Sequence, residues 1–218
     1  MQHLHPRRIA RAALVASSLL AFVIAGAGCG APKRAELDPE QFKVYIADDN
    51  AAMAKQFQAA VAGMMQRLER EAAASGEIPT LNILAMSGGG DFGAFGAGFL
   101  VGWGQAANPA DRRPDFDAVT GVSTGAMLAP FAFVGTDESC LTVETFYRNP
   151  KKDWIKDRGL LFFLPSNSSF ATLPGLSRDL RSAIDAKFIE QIADQSKQGK
   201  ILAISATNLD LGRQRFWD

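Results

Sequence analysis

The stretch LAMSGGGDFGAFGAGFL, residues 84–100, contains the turn that decides the fold. A short apolar run of strand type ends in three consecutive glycines, and small and aromatic residues at helical spacing follow them. Two functions suit such a turn. Gly88, Gly90 and Gly93 fit the G-x-G-x-x-G pattern of a dinucleotide-binding turn. The same glycines equally suit a turn that presents backbone N–H groups to the oxyanion of a reaction.

The order of strand, turn and helix occurs a second time. Residues 116–122 are predicted to form a strand and residues 125–134 a small apolar helix. Between them lies GVSTG, a G-x-S-x-G sequence in the strand-to-helix context that a nucleophile elbow requires. Ser123 is the predicted nucleophile, and Gly121 and Gly125 are the glycines that let the strand and the helix approach each other. A helix that starts behind Ser123 adds a favourable dipole.

The two turns together indicate acyl transfer. Its tetrahedral intermediate carries a negative oxygen that needs preorganised N–H donors, and Gly88, Gly89 and Gly90 are predicted to supply them as an oxyanion hole. A dinucleotide site would need an acidic residue about twenty positions further on. Asp111 and Asp115 lie near that distance, but in a polar loop, and a dinucleotide site leaves GVSTG unexplained.

The remaining periodicity alternates between helix and strand types. An amphipathic helix is predicted from Asp48 to Ala74, and another helix over 180–192. ILAISATN, residues 201–208, is predicted to be a buried strand that leads into a hairpin turn at 210–212. This alternation predicts an α/β sandwich. Because the chain stops at RFWD directly after that turn, we expect the sequence to be a fragment.

Composition excludes several classes of function. Lysine plus arginine and aspartate plus glutamate each number 23, so no net basic charge favours nucleic-acid binding. The two cysteines, Cys29 and Cys140, cannot make a disulfide framework or a CxxC metal site, and we expect Cys140 to be an inert thiol. The only histidines are His3 and His5. We therefore expect no metal, no organic cofactor and no histidine-dependent mechanism.

The first 29 residues have the layout of a bacterial-type export signal. Three arginines precede an uncharged apolar run from Ala12 to Gly28 that ends in small residues. Cys29 is placed as a lipid-acceptor cysteine would be, which predicts a lipoprotein. Ala25–Ala27 also fits ordinary signal cleavage, and an uncleaved membrane anchor is a further alternative, although the apolar run is short for a spanning helix.

This interpretation divides the chain into three parts. Residues 1–29 are the predicted signal peptide, and residues 30–47 are predicted to be a tether. Its first part, Gly30–Gln41, is polar and contains proline, and we expect little fixed structure there. Residues 48–218 are the predicted domain. The protein is then exported to the cell envelope and held at the membrane surface.

The paired motifs SGGGDFGAFGAGFL and GVSTG resemble those of the patatin-like phospholipases, and the resemblance extends from about Leu81 to the end of the chain. It implies a three-layer α/β/α sandwich, here incomplete at the C-terminus. It also implies acyl hydrolysis of lipid or phospholipid by a serine and aspartate dyad without histidine. By this resemblance Ser123 is the nucleophile and Gly88–Gly90 form the oxyanion hole.

Two departures from the family pattern stand out. Many members carry arginine or lysine just before the last glycine of the turn, where this chain has Phe92 preceded by Asp91. The family's aspartate lies in an Asp-Gly-Gly or Asp-Gly-Ala motif, and this sequence contains no Asp-Gly dipeptide. We interpret Asp210 and Asp218 as turn or strand-edge residues. The catalytic aspartate is therefore expected beyond residue 218, and the chain as it stands is expected to be inactive.

Two other functions remain open at this point. One is a catalytically inactive lipid-binding or structural envelope lipoprotein that keeps the fold and lacks the base. The other is a peptidase or general esterase on the same elbow. The absence of a histidine after residue 29 argues against the usual triad of such an enzyme.

Overall fold

A computed structural model describes residues 38–159, 169, 171–209 and 211–217. They belong to two compact units, one formed by the described residues of Glu36–Trp154 and Gly175–Asp218 and one formed by those of Ile155–Pro174. In chain order the helices and strands are α1 (Pro39–Ser75), β1 (Ile83–Met86), α2 (Gly93–Gly104), β2 (Ala118–Val122), α3 (Thr124–Val134), α4 (Asp137–Arg148), β3 (Lys156–Asp157), β4 (Ala171–Thr172), α5 (Pro174–Ala183), α6 (Ala186–Lys197), β5 (Ile201–Asn208) and β6 (Arg213–Trp217).

The larger unit contains a four-stranded sheet in the order β1-β2-β5-β6. β1, β2 and β5 are parallel, and β6 returns antiparallel to β5. Met86 of β1 lies opposite Gly121 of β2, and Val122 lies opposite Ser205 of β5. The carboxyl ends of β1 and β2 therefore meet at one edge of the sheet. The predicted α/β class is confirmed as a parallel-dominated sheet flanked by helices. β3 and β4 pair as a short antiparallel ladder in the smaller unit.

One face of the sheet carries the main core. Side chains from α2, α3, α4 and α6 pack on it together with alternate residues of the strands, such as Leu84 and Val119. α3 contributes Phe131 and Phe133, both almost fully buried, because nearly every residue of this helix is apolar. Cys140 of α4 is also fully buried, and burial raises the pKa of its thiol. This environment fits the expected inert thiol.

The opposite face of the sheet is spanned by α1. Met64 packs there against Ala118 and Ile201, whose neighbours along the strands, Val119 and Leu202, face the main core. At this contact Arg67 of α1 forms an ion pair with the carboxylate of Asp117, and both side chains are largely buried. The same carboxylate accepts a hydrogen bond of 2.7 Å from the backbone N–H of Asn82. At the far side Arg215 of β6 pairs with Asp49 at 2.9 Å.

α1 begins earlier than the sequence pattern predicts. It starts at Pro39 instead of Asp48, because proline is favoured in the first turn and Glu40 suits the positive end of the helix dipole. Residues 39–47, which were assigned to the predicted tether, are therefore helical. The expectation of little fixed structure is wrong for residues 39–41. The helix ends at Gly76, which has the left-handed conformation of a C-terminal cap, with φ 72°.

Two further differences concern helices. The single helix predicted over 180–192 is two helices, α5 and α6, with a break at which the side chain of Asp185 accepts a hydrogen bond of 2.8 Å from the backbone N–H of Phe188. α4 was not predicted. It is capped by Thr136, whose hydroxyl accepts from the N–H of Ser139 at 3.0 Å.

Asp179 of α5 is a buried carboxylate with three donors. It accepts from the amine of Lys151 at 2.8 Å, from the indole N–H of Trp154 at 2.8 Å and from the guanidinium of Arg178 at 3.0 Å. The hydrogen bonds from Lys151, Trp154 and Arg178 hold the pKa of Asp179 well below its ordinary value. The cluster ties α5 to the chain that follows α4.

Several predicted features lie outside the described residues: the signal segment 1–29 with Cys29, the apolar run 160–164, Asp210 and Asp218. In the part of the chain that the structure describes, no helix combines the length and the apolar character needed to cross a membrane.

Candidate active site

Ser123 lies at the tip of the turn between β2 and α3. Its backbone has φ 55° and ψ −123°, and it is the only non-glycine residue with a positive φ among the described residues. An L-residue adopts this conformation only when the surrounding structure enforces it. The side chain is exposed, so a substrate can reach the hydroxyl. α3 begins at Thr124, which places the positive end of its dipole behind the hydroxyl.

The two glycines of GVSTG explain how the turn is enforced. A Cβ atom at Gly121 would lie 2.2 Å from the carbonyl oxygen of Gly125, and a Cβ atom at Gly125 would lie 2.2 Å from the carbonyl oxygen of Met86. Neither position has room for a side chain. The start of α3 thus packs directly on the ends of β1 and β2, as the sequence predicts for a nucleophile elbow.

The glycine turn after β1 lies against Ser123. A Cβ atom at Gly88 would be 2.8 Å from the Cβ of Ser123 and 3.4 Å from its Oγ. Gly90 has φ 56°, a conformation that glycine adopts without strain, and it opens a short 3-10 turn over Gly90–Phe92. Gly89 precedes this turn, and its carbonyl accepts a hydrogen bond from the N–H of Phe92 at 3.1 Å. Gly88, the first of the predicted oxyanion-hole residues, is therefore adjacent to the predicted nucleophile.

The backbone amides of this turn are available to a ligand. Gly88 and Gly89 are exposed, and neither N–H group donates a hydrogen bond to another of the described residues. Unpaired donors next to an exposed hydroxyl form the arrangement that stabilises a developing negative oxygen. The site can therefore accommodate acyl transfer to Ser123.

Tyr147 supports the glycine turn from behind, which the sequence did not indicate. Its hydroxyl lies 2.5 Å from the position that a Cβ at Gly93 would occupy, so an alanine at Gly93 would require the tyrosine ring to shift. The hydroxyl is buried and has no hydrogen-bond partner among the described residues. Burial, and secondarily the charge of Asp91, raise the pKa of Tyr147. The tyrosine comes from α4, and only the prediction of that helix would have revealed it.

The described residues supply no general base for Ser123. Its hydroxyl is hydrogen-bonded to no carboxylate or imidazole in the described ranges. Asp117, which adjoins β2, lies at the amino end of that strand and is engaged by Arg67. The next strand brings a hydroxyl instead: Ser205 lies opposite Val122 and accepts a hydrogen bond from Gln214.

The geometry does not favour the dinucleotide alternative. Asp115 forms an ion pair of 2.6 Å with Lys200, which immediately precedes β5, and so lies at the amino edge of the sheet. Asp111 belongs to the same connection and pairs with Asn108 at 3.0 Å. The glycine turn is at the carboxyl edge, where neither of these carboxylates can bind a ribose that contacts the turn. No cluster of potential metal ligands occurs among the described residues.

Comparison with known protein families bears on the same region. A family model described as patatin-like phospholipase matches residues 84–211, which is more than half of the 218-residue chain. The chain belongs to the patatin-like phospholipase family. The match starts in β1 and includes both the glycine turn and the elbow, so the resemblance predicted from the paired motifs is confirmed. Comparison with curated proteins and with solved structures gave no match.

As a patatin-like phospholipase, the chain keeps its departure from the family pattern at the glycine turn. Phe92 stands where many members have a basic residue, and its side chain is 83% exposed. This position therefore carries no cation, and the exposed backbone amides of the turn and the dipole of α3 are the groups that can stabilise an oxyanion here.

Proposed function

We propose that this chain carries the nucleophile and the oxyanion hole of a serine acyl hydrolase that acts on lipids. Membership of the patatin-like phospholipase family supports hydrolase activity and a lipid substrate in general. The observation that carries the specific assignment is the contact between the glycine turn and the elbow, with Gly88 against Ser123 in its strained backbone conformation. The same family supports a three-layer sandwich for the complete domain.

The proposed reaction proceeds through an acyl-enzyme. The Oγ of Ser123 attacks the ester carbonyl while its proton passes to the base, and the amides of Gly88, Gly89 and Gly90 bind the negative oxygen of the tetrahedral intermediate. The intermediate expels the alcohol of the lipid, which takes up the proton. A water molecule then attacks the acyl-enzyme while the same base takes up one of its protons. The fatty acid is released as the base returns that proton to the Oγ of Ser123.

We propose that the base is an aspartate encoded beyond residue 218. The family resemblance calls for a serine and aspartate dyad, no aspartate in the printed sequence is followed by glycine, and none of the described carboxylates is bonded to Ser123. A serine without a base is a weak nucleophile at neutral pH. We therefore propose that the 218-residue chain is inactive and that a longer product of the same gene is active.

The test compares the 218-residue protein with the longer protein that is obtained when the gene is read past the codon for Asp218. Both are assayed for hydrolysis of 4-nitrophenyl acetate and of phosphatidylcholine vesicles, and for covalent labelling by a fluorophosphonate probe. We expect turnover and labelling in the longer form alone, and their complete loss in Ser123→Ala. Ser196→Ala, on the exposed side of α6, is the matched control and should leave both unchanged. Labelling that survives Ser123→Ala would exclude Ser123 as the nucleophile.

A second candidate function is lipid binding without catalysis. The observation that favours it is that Ser123 has no bonded base among the described residues. A gene that stops at Asp218, together with a product that binds lipid and never reacts with the fluorophosphonate, would favour this function over hydrolysis.

We also propose that the protein is exported and anchored at the membrane through lipidation of Cys29. The arginines and the apolar run before this cysteine support the proposal. The test is metabolic labelling with a fatty-acid analogue in a bacterial host. Cys29→Ala should abolish the label, whereas labelling that persists in the variant would reject the lipid anchor.

A further inference from the structure

The sheet face beneath α1 is only partly covered. Ile83 and Ala85 of β1 project to this face and are exposed; the exposed fraction of Ile83 is 59%. Leu84 and Met86, which alternate with them along the strand, pack into the main core. α1 contacts the sheet mainly around Met64. Farther toward its N-terminus, the helix and the sheet enclose a space.

This space is a cavity of about 480 Å³. Met53, Phe57 and Ala60 of α1 form one wall, and Thr120, Ala203 and Phe216 of the sheet form the other. The volume lies within the range of about 300–1,000 Å³ that is usual for sites that bind small molecules.

Two ion pairs fix the distance between the walls. Arg67 and Asp117 join helix and sheet at one end of the cavity, and both side chains are largely buried. Asp49 and Arg215 join them toward the other end, at 2.9 Å. Because charged partners of this kind must stay together to avoid unpaired buried charge, α1 cannot simply settle onto the sheet and close the cavity.

A second cavity continues the first toward the proposed active site. It has a volume of about 300 Å³ and shares Thr120 and Phe216 with the first. Its far end is formed by Ser87 and Val122, the residues that immediately precede Gly88 and Ser123. The two cavities are therefore neighbours, and the second reaches the residues beside the nucleophile.

The chemistry of the lining decides what can occupy these cavities. None of the described residues that line either cavity is charged. Apolar side chains dominate the first cavity, whose polar members are Asn50, Gln56 and Thr120, whereas the second cavity is lined about equally by apolar residues and by Ser87, Thr120, Ser205 and Gln214. A phosphate or a cationic headgroup would lose its hydration in the first cavity without gaining a charged partner. A hydrocarbon chain loses nothing and gains about 0.8 kcal/mol for each CH₂ group that it buries.

We propose that the cavity between α1 and the sheet binds a long fatty acyl chain, either of the ester that reacts at Ser123 or of the fatty acid that it releases. This inference rests on the proposed function for the identity of the ligand, because a lipid hydrolase must place an acyl chain close to its nucleophile. The cavity itself is defined by side-chain geometry alone. α1 thus forms part of the binding site, and its distance from the sheet limits the chain that fits.

Binding of a fluorescent long-chain fatty acid, 11-(dansylamino)undecanoic acid, tests the proposal without requiring catalysis. The matched pair is Ala60→Phe, which fills the cavity, and Ala59→Phe, at the neighbouring exposed position of the same helix. We expect Ala60→Phe to weaken binding at least tenfold and Ala59→Phe to leave it unchanged. Ala203→Leu fills the cavity from the sheet side and should also weaken binding, so the test does not depend on one variant.

Circular dichroism and urea denaturation establish which variants are folded. Absence of binding by the unmodified protein would overturn the proposal, as would equal binding by folded Ala59→Phe and Ala60→Phe. In the longer, active form, Ala60→Phe should lower kcat/KM for 4-nitrophenyl palmitate at least tenfold and spare 4-nitrophenyl acetate. If fatty acid binds in an Ala60-dependent manner and no ester is hydrolysed, the cavity assignment stands and the proposed hydrolase function fails.

Discussion

The backbone conformation of Ser123 predicts an unusual order of stability among its variants. Its φ of 55° and ψ of −123° lie outside the regions that L-residues favour, and a residue held there costs about 1–3 kcal/mol. Ser123→Ala keeps the Cβ atom and therefore the strain. Ser123→Gly removes both, and it loses about 0.5–1 kcal/mol relative to alanine through the greater freedom of glycine in the unfolded chain.

The difference favours glycine. Subtraction of the two contributions predicts that Ser123→Gly is more stable than Ser123→Ala by about 1 kcal/mol. In a domain of this size that difference raises Tm by about 2–4 °C. The side chain is exposed, so removal of its methylene and hydroxyl groups has little other effect on packing.

The assay is equilibrium urea denaturation, followed by circular dichroism, with the same pair of substitutions at Ser196 as a control. Ser196 is exposed in the last turn of α6, where glycine is expected to be less stable than alanine. The sign of the difference should therefore reverse between the two positions. If alanine is the more stable residue at both, Ser123 is not held in a strained conformation and the elbow argument fails.

Three further predictions concern the surroundings of the site and the acid stability of the protein. Gly121→Ala should destabilise the protein by at least about 1–3 kcal/mol in urea denaturation, because its Cβ would lie 2.2 Å from the carbonyl oxygen of Gly125. The control is Gly102→Ala on α2, where a Cβ meets open space, and this variant should be neutral or stabilising. Equal effects of the two substitutions would contradict this packing. Tyr147→Phe removes a buried hydroxyl that has no hydrogen-bond partner among the described residues, so it should leave stability unchanged or raise it by about 1 kcal/mol. A clear loss of stability in the same assay would show that the hydroxyl is hydrogen-bonded. Asp179 has a folded-state pKa below its ordinary value of 3.8, so the stability it contributes is fully present above that value and is lost as the pH falls from there toward the folded-state pKa. Asp179→Asn should therefore lower stability at pH 7 and reduce the decline of stability below about pH 5 in urea titrations, and an unchanged decline would contradict the assignment.

The strands and turns around the site could be predicted from the sequence because their signals are local. LNILAMS and the segment before GVSTG are short apolar runs closed by glycines. β1 lies within the first run, and β2 extends from the second run into GVSTG, where it ends at Val122. The elbow requires small residues on both sides of the serine, so Gly121 and Gly125 identify it without any tertiary information.

Other elements depend on contacts that the sequence pattern does not contain. α4 has buried and exposed residues interspersed in a short segment, and Tyr147 reaches Gly93 only after the helix has folded back onto α2. The early start of α1 depends on Pro39 and Glu40 as first-turn residues, whereas the apolar stripe begins only at Met53. The break between α5 and α6 depends on the side chain of Asp185, which competes with the continuing helix for the N–H of Phe188.

The pairing of Met86 with Gly121 has a consequence for how the chain can change during evolution. Both turns extend from the same rung of the sheet, so the spacing between amides and hydroxyl is inherited from the strand register and not from the length of any loop. The connection from α2 to β2 enters at the opposite edge, and its Pro109–Asp111 turn is exposed. Doubling the length of such a loop costs only about 0.6 kcal/mol in closure entropy. Insertions can therefore accumulate there, and whole modules can be grafted there, while the chemistry at the other end of β2 stays intact.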